Sequence, residues 1–269
     1  SADIAGGIGL ALGETSDGQI VARYITPGSP ADAAGIKFGA EIVSLDGKPV
    51  DEVVSAVTPW SSPFSNPEVK RLQQLRYATR FRAEKGQVEV SFVNPGGSEQ
   101  SATLDVVSER DSFSVTSFAF GQPETSLPVD FKILPSGYGY IKISSFSDNQ
   151  VLMIQAWEYA LDYFNQNEVP GVILDMRNNN GGSGWMADQM AAYFFTKEVV
   201  AGTGSSYDEV TGDFYMDPAS EAVMIPPREA LQYTGPVVVM VGPACISACE
   251  FFSYNMTIND RATVVGQYP

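Results

Sequence analysis

Between Gly235 and Met256 the sequence runs Gly-Pro-Val-Val-Val-Met-Val-Gly-Pro-Ala-Cys-Ile-Ser-Ala-Cys-Glu-Phe-Phe-Ser-Tyr-Asn-Met. Five consecutive apolar residues, Val237 to Val241, fit a short strand buried on both faces, the kind found inside parallel sheets. Gly242-Pro243 breaks that strand, and the apolar-rich run from Ile246 to Met256 predicts a helix. Ser247 stands where the helix would begin. A hydroxyl there lies beside unpaired backbone N–H groups and the positive end of the helix dipole, which suits developing negative charge. The same position suits a plain helix cap, and this stretch alone leaves both readings open.

The chain has 269 residues, room for one large domain or two smaller ones, and 44% of them are hydrophobic, enough for a substantial core. Sixteen basic residues stand against 32 acidic ones, a net charge of −16. This balance argues against nucleic acid as a partner and disfavours anionic membrane surfaces, since both need basic clusters. No apolar run is long enough to span a membrane, and Ser1-Ala-Asp-Ile4 lacks the features of a signal peptide. Histidine is absent, which excludes a Ser-His pair and a His-ligated metal, so no cofactor and no metal is expected. The two cysteines, Cys245 and Cys249, flank Ser247. A disulfide inside a helix is geometrically awkward, so they are expected to be small buried residues without a redox role.

In the first part of the chain, Gly6 to Leu12 and Gln19 to Ile25 read as strands separated by the turn-rich Glu14-Thr-Ser-Asp-Gly18. Pro27 to Ile36 predicts a loop, a short helix and a glycine stop, and Glu41 to Val50 a strand, an Asp-Gly turn and a second extended piece. Gly7-Ile-Gly-Leu10 resembles the carboxylate-binding loop of a PDZ domain, and Ser29-Pro-Ala-Asp-Ala-Ala-Gly35 with Ile42 to Gly47 resembles the signature that follows it. The resemblance makes Gly7, Ile8, Gly9 and Leu10 candidate peptide-binding residues, because successive N–H groups of a glycine turn can cradle a terminal carboxylate. The adjacent strand would pair with the peptide. Pro67 to Arg80 is the candidate groove-closing helix, with Val69, Leu72, Leu75 and Ala78 as its apolar stripe. The insertion near 51–66 exceeds what a compact PDZ domain needs, and its Trp60 and Phe64 are expected to pack. Gln87 to Val93 and Ala102 to Val107 form a closing hairpin around Asn94-Pro-Gly-Gly97. The first domain is thus 1–108 and the second 109–269.

In the second domain, Phe113, Val115, Phe118 and Phe120 suggest an extended segment. Strand-like Gly137–Phe146 precedes a helix over Val151–Gln166, with Ile154, Trp157, Leu161 and Phe164 inward. Val169–Met176 is a further strand, Arg177-Asn-Asn-Asn-Gly-Gly-Ser-Gly184 a glycine-rich turn, Trp185–Phe195 a helix, and Gly202–Pro227 a polar stretch. This alternation predicts an α/β core with several parallel strands. Turns of such sheets gather at the carboxyl ends of neighbouring strands. A glycine N–H from Gly181 or Gly182 could therefore meet the same oxyanion as the Ala248 N–H.

Three segments in order carry a resemblance to the C-terminal processing peptidase (tail-specific protease) family. Gly139-Tyr-Ile-Lys-Ile-Ser-Ser-Phe146 looks like its first core strand. Leu174-Asp-Met-Arg-Asn-Asn-Asn-Gly-Gly182 looks like its Asp-Leu-Arg-x-Asn-x-Gly-Gly turn. Cys245-Ile-Ser-Ala-Cys-Glu250 aligns with its Ser-Ala-Ser-Ala-Ser-Glu motif, whose middle serine attacks. The resemblance implies a ClpP/crotonase-like core with a parallel-rich sheet behind a small, mostly-β PDZ-like domain. It also implies a serine endopeptidase acting on a peptide or unfolded protein tail, and export to the periplasm or extracellular space. Ser247 becomes the implied nucleophile, with Ala248 and Gly182, or else Gly181, as oxyanion donors. Glu250 either orients this region or is structural.

A serine needs a proton acceptor. The family's lysine lies beyond a Val-Val-Gly strand end, matched here by Val264-Val-Gly266 close to Pro269. Lys132, Lys142 and Lys197 stand in the wrong motifs. The base is accordingly expected beyond Pro269, in a longer protease whose core strands are incomplete here. The competing readings are a catalytically inactive binding protein with a protease fold, and a cysteine peptidase using Cys245 or Cys249.

Overall fold

The computed structural model describes residues 4–59, 64, 66–116, 129–147 and 149–266. They fall into two compact units, divided between Gln122 and Pro123.

The first unit contains thirteen strands and α-helices among its described residues. In order they are β1 (Gly6–Gly7), β2 (Leu10–Glu14), β3 (Ile20–Ile25), α1 (Pro30–Ala33), β4 (Glu41–Leu45), β5 (Lys48–Pro49) and α2 (Val50–Ala56). Then follow α3 (Pro67–Tyr77), β6 (Arg80–Phe81), β7 (Gln87–Val93), β8 (Glu99–Asp105), β9 (Val107–Ser108) and α4 (Asp111–Ser114). Strands pair antiparallel in the order β2-β3-β4-β7-β8, with β5 on β4, and a small sheet runs β6-β1-β9. The core gathers Ile8, Leu10, Ile42, Val90, Phe92 and Leu104. Both α1 and α3 start as local chemistry dictates. Proline occupies the first turn, and Ser29 and Asn66 accept from the N–H of Asp32 and Val69.

Helix α3 buries Leu75, and Ala78 is buried just past its end, but Val69 and Leu72 are half-exposed, so the inward stripe is shorter than the sequence suggested. Part of the expected insertion is the helix α2. Trp60, Phe118 and Phe120 lie outside the described residues, while Phe64 is in coil. Phe113 belongs to the short helix α4 rather than to an extended segment.

One buried ion pair ties the chain just past residue 108 to the first unit. Arg80 Nη1 donates to Glu109 Oε1 at 2.5 Å, and the remaining guanidinium donors reach the carbonyls of Ile4 and Glu109. Burial opposes ionisation of Glu109, yet hydrogen bonds from Ser112 together with Arg80 outweigh it and hold the carboxyl below the ordinary glutamate range. That stabilisation is full above the ordinary value, about 4.3, and fades as pH falls through the lower folded-state value. Removing the carboxylate strands a buried guanidinium. Glu109→Ala is expected to cost about 3–5 kcal/mol and to flatten the acid limb of stability against pH, as read by urea denaturation of the whole chain.

The second unit holds β10 (Val129–Ile133), β11 (Gly139–Ile143), α5 (Gln150–Gln166), β12 (Val172–Asp175), α6 (Gly184–Ala192) and β13 (Val199–Asp208). It continues with β14 (Asp213–Met224), β15 (Val237–Val241), α7 (Ala248–Asn255) and β16 (Thr263–Gly266). Five strands form one sheet in the order β10-β11-β12-β15-β16; β10 is antiparallel to β11 and the other pairs are parallel. Helix α5 turns Met153, Trp157, Ala160, Leu161 and Phe164 into the core, and Trp157 Nε1 donates to the Met190 carbonyl of α6 at 3.1 Å. Gly139 is glycine because a Cβ there would lie 2.9 Å from the Phe164 ring.

The polar stretch from Gly202 to Pro227 is mostly a long antiparallel ribbon, β13 with β14. It is absent from the five-stranded sheet, and only its base, through Val199, Ala201 and Met224, packs on the core of the unit. No helix among the described residues is long and apolar enough to cross a membrane.

Candidate active site

Parallel pairing places Leu174 beside Val239 and Asp175 beside Met240, so β12 and β15 end together and their following turns emerge side by side. Met176 N–H extends the ladder to the Met240 carbonyl. From β12 the chain enters the asparagine–glycine turn, and from β15 it enters Gly242 to Ser247.

The residue that ties these turns together is Asn179, which is fully buried. Its Oδ1 accepts from Gly181 N–H at 2.8 Å, and its Nδ2 donates to the Ile143 carbonyl at the end of β11 at 3.1 Å. Its own carbonyl accepts from Ile246 N–H at 3.3 Å. One side chain thus fixes the glycine turn to one neighbouring strand, while its backbone holds the loop from the other. The sequence reading passed over Asn179 as one of three asparagines, although it is the one at the family motif's Asn position.

Gly181 lies directly against the serine. A Cβ on it would stand 2.6 Å from the Ile246 carbonyl and 2.8 Å from Ser247 Cβ, and its φ of 85° disfavours other residues as well. Gly182 has φ 137° and packs against Phe146 and Ser147. The Gly181 N–H is occupied by Asn179. For the N–H groups of Gly182 and Ala248, no acceptor is found among the described residues. Ala248 is the first residue of α7, where backbone donors have no partner within the helix.

Ser247 is exposed, with buried Ala248 and half-buried Ile246 on either side. It does occupy the N-cap position of α7. Its N–H donates to Glu250 Oε2 at 2.5 Å, and Glu250 N–H returns to the Ser247 carbonyl at 2.8 Å. Its backbone, however, is not that of an ordinary cap. N-cap residues sit in the extended region, whereas Ser247 has φ 59° and ψ −122°. A non-glycine residue held there stores strain of about 1–3 kcal/mol, which capping alone does not require.

Cys245 and Cys249 form a disulfide, contrary to the expectation of two separate buried thiols. The objection to a bridge within a helix does not apply, because α7 begins only at Ala248 and Cys245 lies before it. Their Cα atoms are 5.3 Å apart, inside the range a disulfide spans. With neither thiol free, the cysteine-peptidase reading loses its nucleophile.

Asp175, at the end of β12, anchors the start of the glycine turn. Arg177 grips it with two hydrogen bonds, at 2.9 and 2.8 Å, and Tyr140 OH donates to it at 2.7 Å. Burial works against its ionisation, but these donors prevail and hold its carboxyl below the usual aspartate range. The Tyr140 hydroxyl is pushed up to about 12 by burial and by Asp175. On the helices, Asn255 Nδ2 donates to Asp188 Oδ1 at 2.6 Å and links α7 to α6, and burial raises the Asp188 pKa.

Around the serine lies an exposed aromatic surface that the sequence reading did not single out. Phe251 and Tyr254 follow Ser247 at four and seven residues, which places them on its side of the helix. Gly184 packs beside the Phe251 ring, and Trp185 follows it. These three aromatics are 57%, 62% and 59% exposed.

Of the lysines weighed as bases, Lys132 sits with its Nζ 5.4 Å from the Tyr140 ring, Lys142 of β11 is paired in register with Asp175 of β12, and Lys197 follows α6. No hydrogen bond joins any of them to Ser247 among the described residues. The candidate peptide-binding residues lie in the first unit. Gly7 ends β1, Leu10 opens β2, and Ile8 and Leu10 are fully buried. Gly9 has φ 76° and no room for a Cβ beside Ser29. The carbonyls of Ile8 and Gly9 accept from Ala31 and Thr26. Strand β2 is the edge of its sheet, and there the Leu10 carbonyl already accepts from Thr79 Oγ1 at 2.7 Å.

Residues 137–268 match Peptidase family S41. That span runs from β11 to β16 and contains the whole arrangement around Ser247. The chain is 26% identical to carboxyl-terminal-processing peptidase 3 (chloroplastic) of Arabidopsis thaliana, an alignment covering 97% of this chain and 44% of that protein. It is also 26% identical to the carboxy-terminal processing protease CtpA of Bacillus subtilis (strain 168), covering 97% of this chain and 46% of CtpA. The chain therefore spans less than half the length of these relatives. Mature CPAF, solved in complex with lactacystin, shares the fold with a TM-score of 0.69 at 15% identity over 97% of this chain and 69% of CPAF.

Asn179→Ala would leave the Gly181 N–H and the Ile143 carbonyl buried without partners. A loss of about 1–3 kcal/mol for each such group is expected in urea denaturation, together with slower labelling of Ser247 by a fluorophosphonate.

Proposed function

We propose that the chain belongs to a serine endopeptidase that hydrolyses peptide bonds through an acyl-enzyme at Ser247, acting on the tail of a peptide or unfolded protein. The observation that carries this reading is the strained backbone of an exposed serine at a helix start, pressed against Gly181 within the segment that matches Peptidase family S41. In this mechanism Ser247 Oγ attacks the scissile carbonyl. The oxyanion is received by the N–H groups of Ala248 and Gly182, for which no acceptor is found among the described residues, while Gly181 shapes the turn. Glu250 holds the Ser247 N–H and so fixes the turn that presents the hydroxyl. In this proposal the proton acceptor comes from a part of the protein outside these 269 residues, in keeping with relatives of which the chain covers less than half.

The first unit is the tail-binding module in this proposal. Its glycine loop, Gly7 to Leu10, and the edge strand β2 offer backbone groups to an extended peptide in the manner of a PDZ domain. The processing peptidases among the relatives make a carboxyl-terminal tail the favoured substrate. The disulfide accords with an exported, oxidising setting. Trp185, Phe251 and Tyr254 supply an apolar surface for a large side chain near the scissile bond.

Ser247→Ala in the full-length protein is expected to reduce hydrolysis by at least about 10³-fold while leaving peptide affinity unchanged. Activity that survives this substitution would show that the nucleophile lies elsewhere. Absence of both cleavage and fluorophosphonate labelling in the unaltered protein would leave a binding protein built on a peptidase fold. Phe251→Ala is expected to lower kcat/KM about tenfold or more for peptides with a large apolar residue beside the cleaved bond, and to spare those with a small one.

A further inference from the structure

The disulfide encloses the proposed nucleophile. It closes a ring of five residues, Cys245 to Cys249, with Ser247 at the centre. Both cysteines are fully buried, and they are anchored beneath the serine on two different elements. Cys249 Sγ lies 3.6 Å from the Met176 carbonyl just past the end of β12, and Cys245 Sγ lies 3.8 Å from the Ser253 hydroxyl of α7. The Ser253 hydroxyl in turn donates to the Cys249 carbonyl at 2.8 Å.

A residue at φ 59° keeps that conformation only if its surroundings over-determine it. The two hydrogen bonds that hold Ile246, the residue just before the serine, are long. Ile246 N–H reaches the Asn179 carbonyl at 3.3 Å, and Cys249 N–H reaches the Ile246 carbonyl at 3.2 Å, both at the weak end for such bonds. Glu250 holds the serine N–H with its carboxylate and the serine carbonyl with its own N–H, but both bonds lie on the helix side of the serine, and the carboxylate is exposed. The covalent bridge is the strong link between the residue two before the serine and the residue two after it. A ring this short also removes little entropy from the unfolded chain compared with a long loop. Its main effect is therefore local.

From this we propose that the Cys245–Cys249 disulfide is a positioning element for Ser247, so that the peptidase is competent when the bridge is oxidised and loses turnover when it is reduced. The inference rests on the serine-peptidase reading of this site. Reduction by a dithiol balances simply. A thiolate of the reductant attacks one bridge sulfur and displaces the other. The reductant's second thiol then resolves the mixed disulfide, giving two cysteine thiols and one oxidised, cyclic reductant. Because both sulfurs are buried, attack waits on opening of the turn. Once the bridge is cut, the first turn of α7 and the Gly242–Ile246 loop are free to relax, and Ser247 leaves its strained conformation. The hydroxyl then moves relative to the Ala248 and Gly182 donors.

The test compares the full-length protein before and after dithiothreitol treatment. Alkylation and peptide mass mapping establish the state of Cys245 and Cys249. Peptide hydrolysis and fluorophosphonate labelling report the site, and circular dichroism reports the fold. Reduction is expected to lower kcat by about 10- to 100-fold, with KM little changed, the dichroism preserved and activity regained on reoxidation. The double variant Cys245→Ser, Cys249→Ser should match the reduced protein and ignore dithiothreitol, which excludes effects of any other disulfide. Full kcat with both cysteines alkylated after reduction would overturn the inference. So would free thiols in the untreated, active protein, or unfolding on reduction, which would make the bridge a general staple. If the double variant fails to fold, reduction of the unaltered protein decides alone. An oxidised protein that neither cleaves nor labels, as Ser247→Ala should not, indicts the peptidase reading instead of the positioning role.

Discussion

The parallel pairing of β12 with β15 is the constraint on which the site depends. Two buried strands in register, Val172 to Asp175 against Val237 to Met240, end at the same level and release their turns on the same side. Parallel strands of this kind need cover on both faces, which here comes from helices with buried stripes such as α5, α6 and α7. A one-residue slip would exchange the faces of every side chain in the strand and would separate the Asn179–Gly182 turn from Ser247. The precise fit of the turns is local: Asn179 joins them with side chain and backbone together, and Gly181 approaches so closely that no Cβ is tolerated.

Electrostatics around this frame are arranged to anchor rather than to react. Asp175, tied to Arg177 and Tyr140, stays ionised despite its burial and pins the chain where it leaves β12. In the first unit Glu109 and Arg80 play the corresponding part, closing the chain's return past β9 onto the small sheet. Both carboxylates owe their charge to donors placed by the fold, and both would surrender it in acid.

What the sequence disclosed followed from burial. The apolar run Val237–Val241, the stripe of α5 and the glycine turn all have a buried side, and burial imposes a pattern that can be read. The β13–β14 ribbon escaped notice because all but its base lies away from the core; Tyr207, Phe214, Tyr215 and Met216 are exposed, and no alternation marks them. The disulfide escaped because Cys245 and Cys249 were placed on one helix, whereas the helix starts only one residue before the second of them. Asn179 stood within a recognisable motif, but its role depends on Ile143 and Ile246, contacts that spacing along the chain does not reveal. The strain at Ser247 likewise had no signature in residue type: a serine at a helix start is ordinary, and only its φ sets it apart.

The ribbon carries a mechanical consequence. Its base is held, since Met224 is fully buried and Gln189 of α6 donates to the Val223 carbonyl. Its far end, around Val210, is 95% exposed at that residue and rests on its own ladder, broken by irregularities between Val200 and Gly202 and between Thr203 and Ser205. Opening that ladder breaks no hydrogen bond of the five-stranded sheet, so the two have separate local stabilities. The unit thus joins a stiff frame to a compliant arm, and the arm can bend or be rebuilt by mutation without disturbing the alignment that presents Ser247.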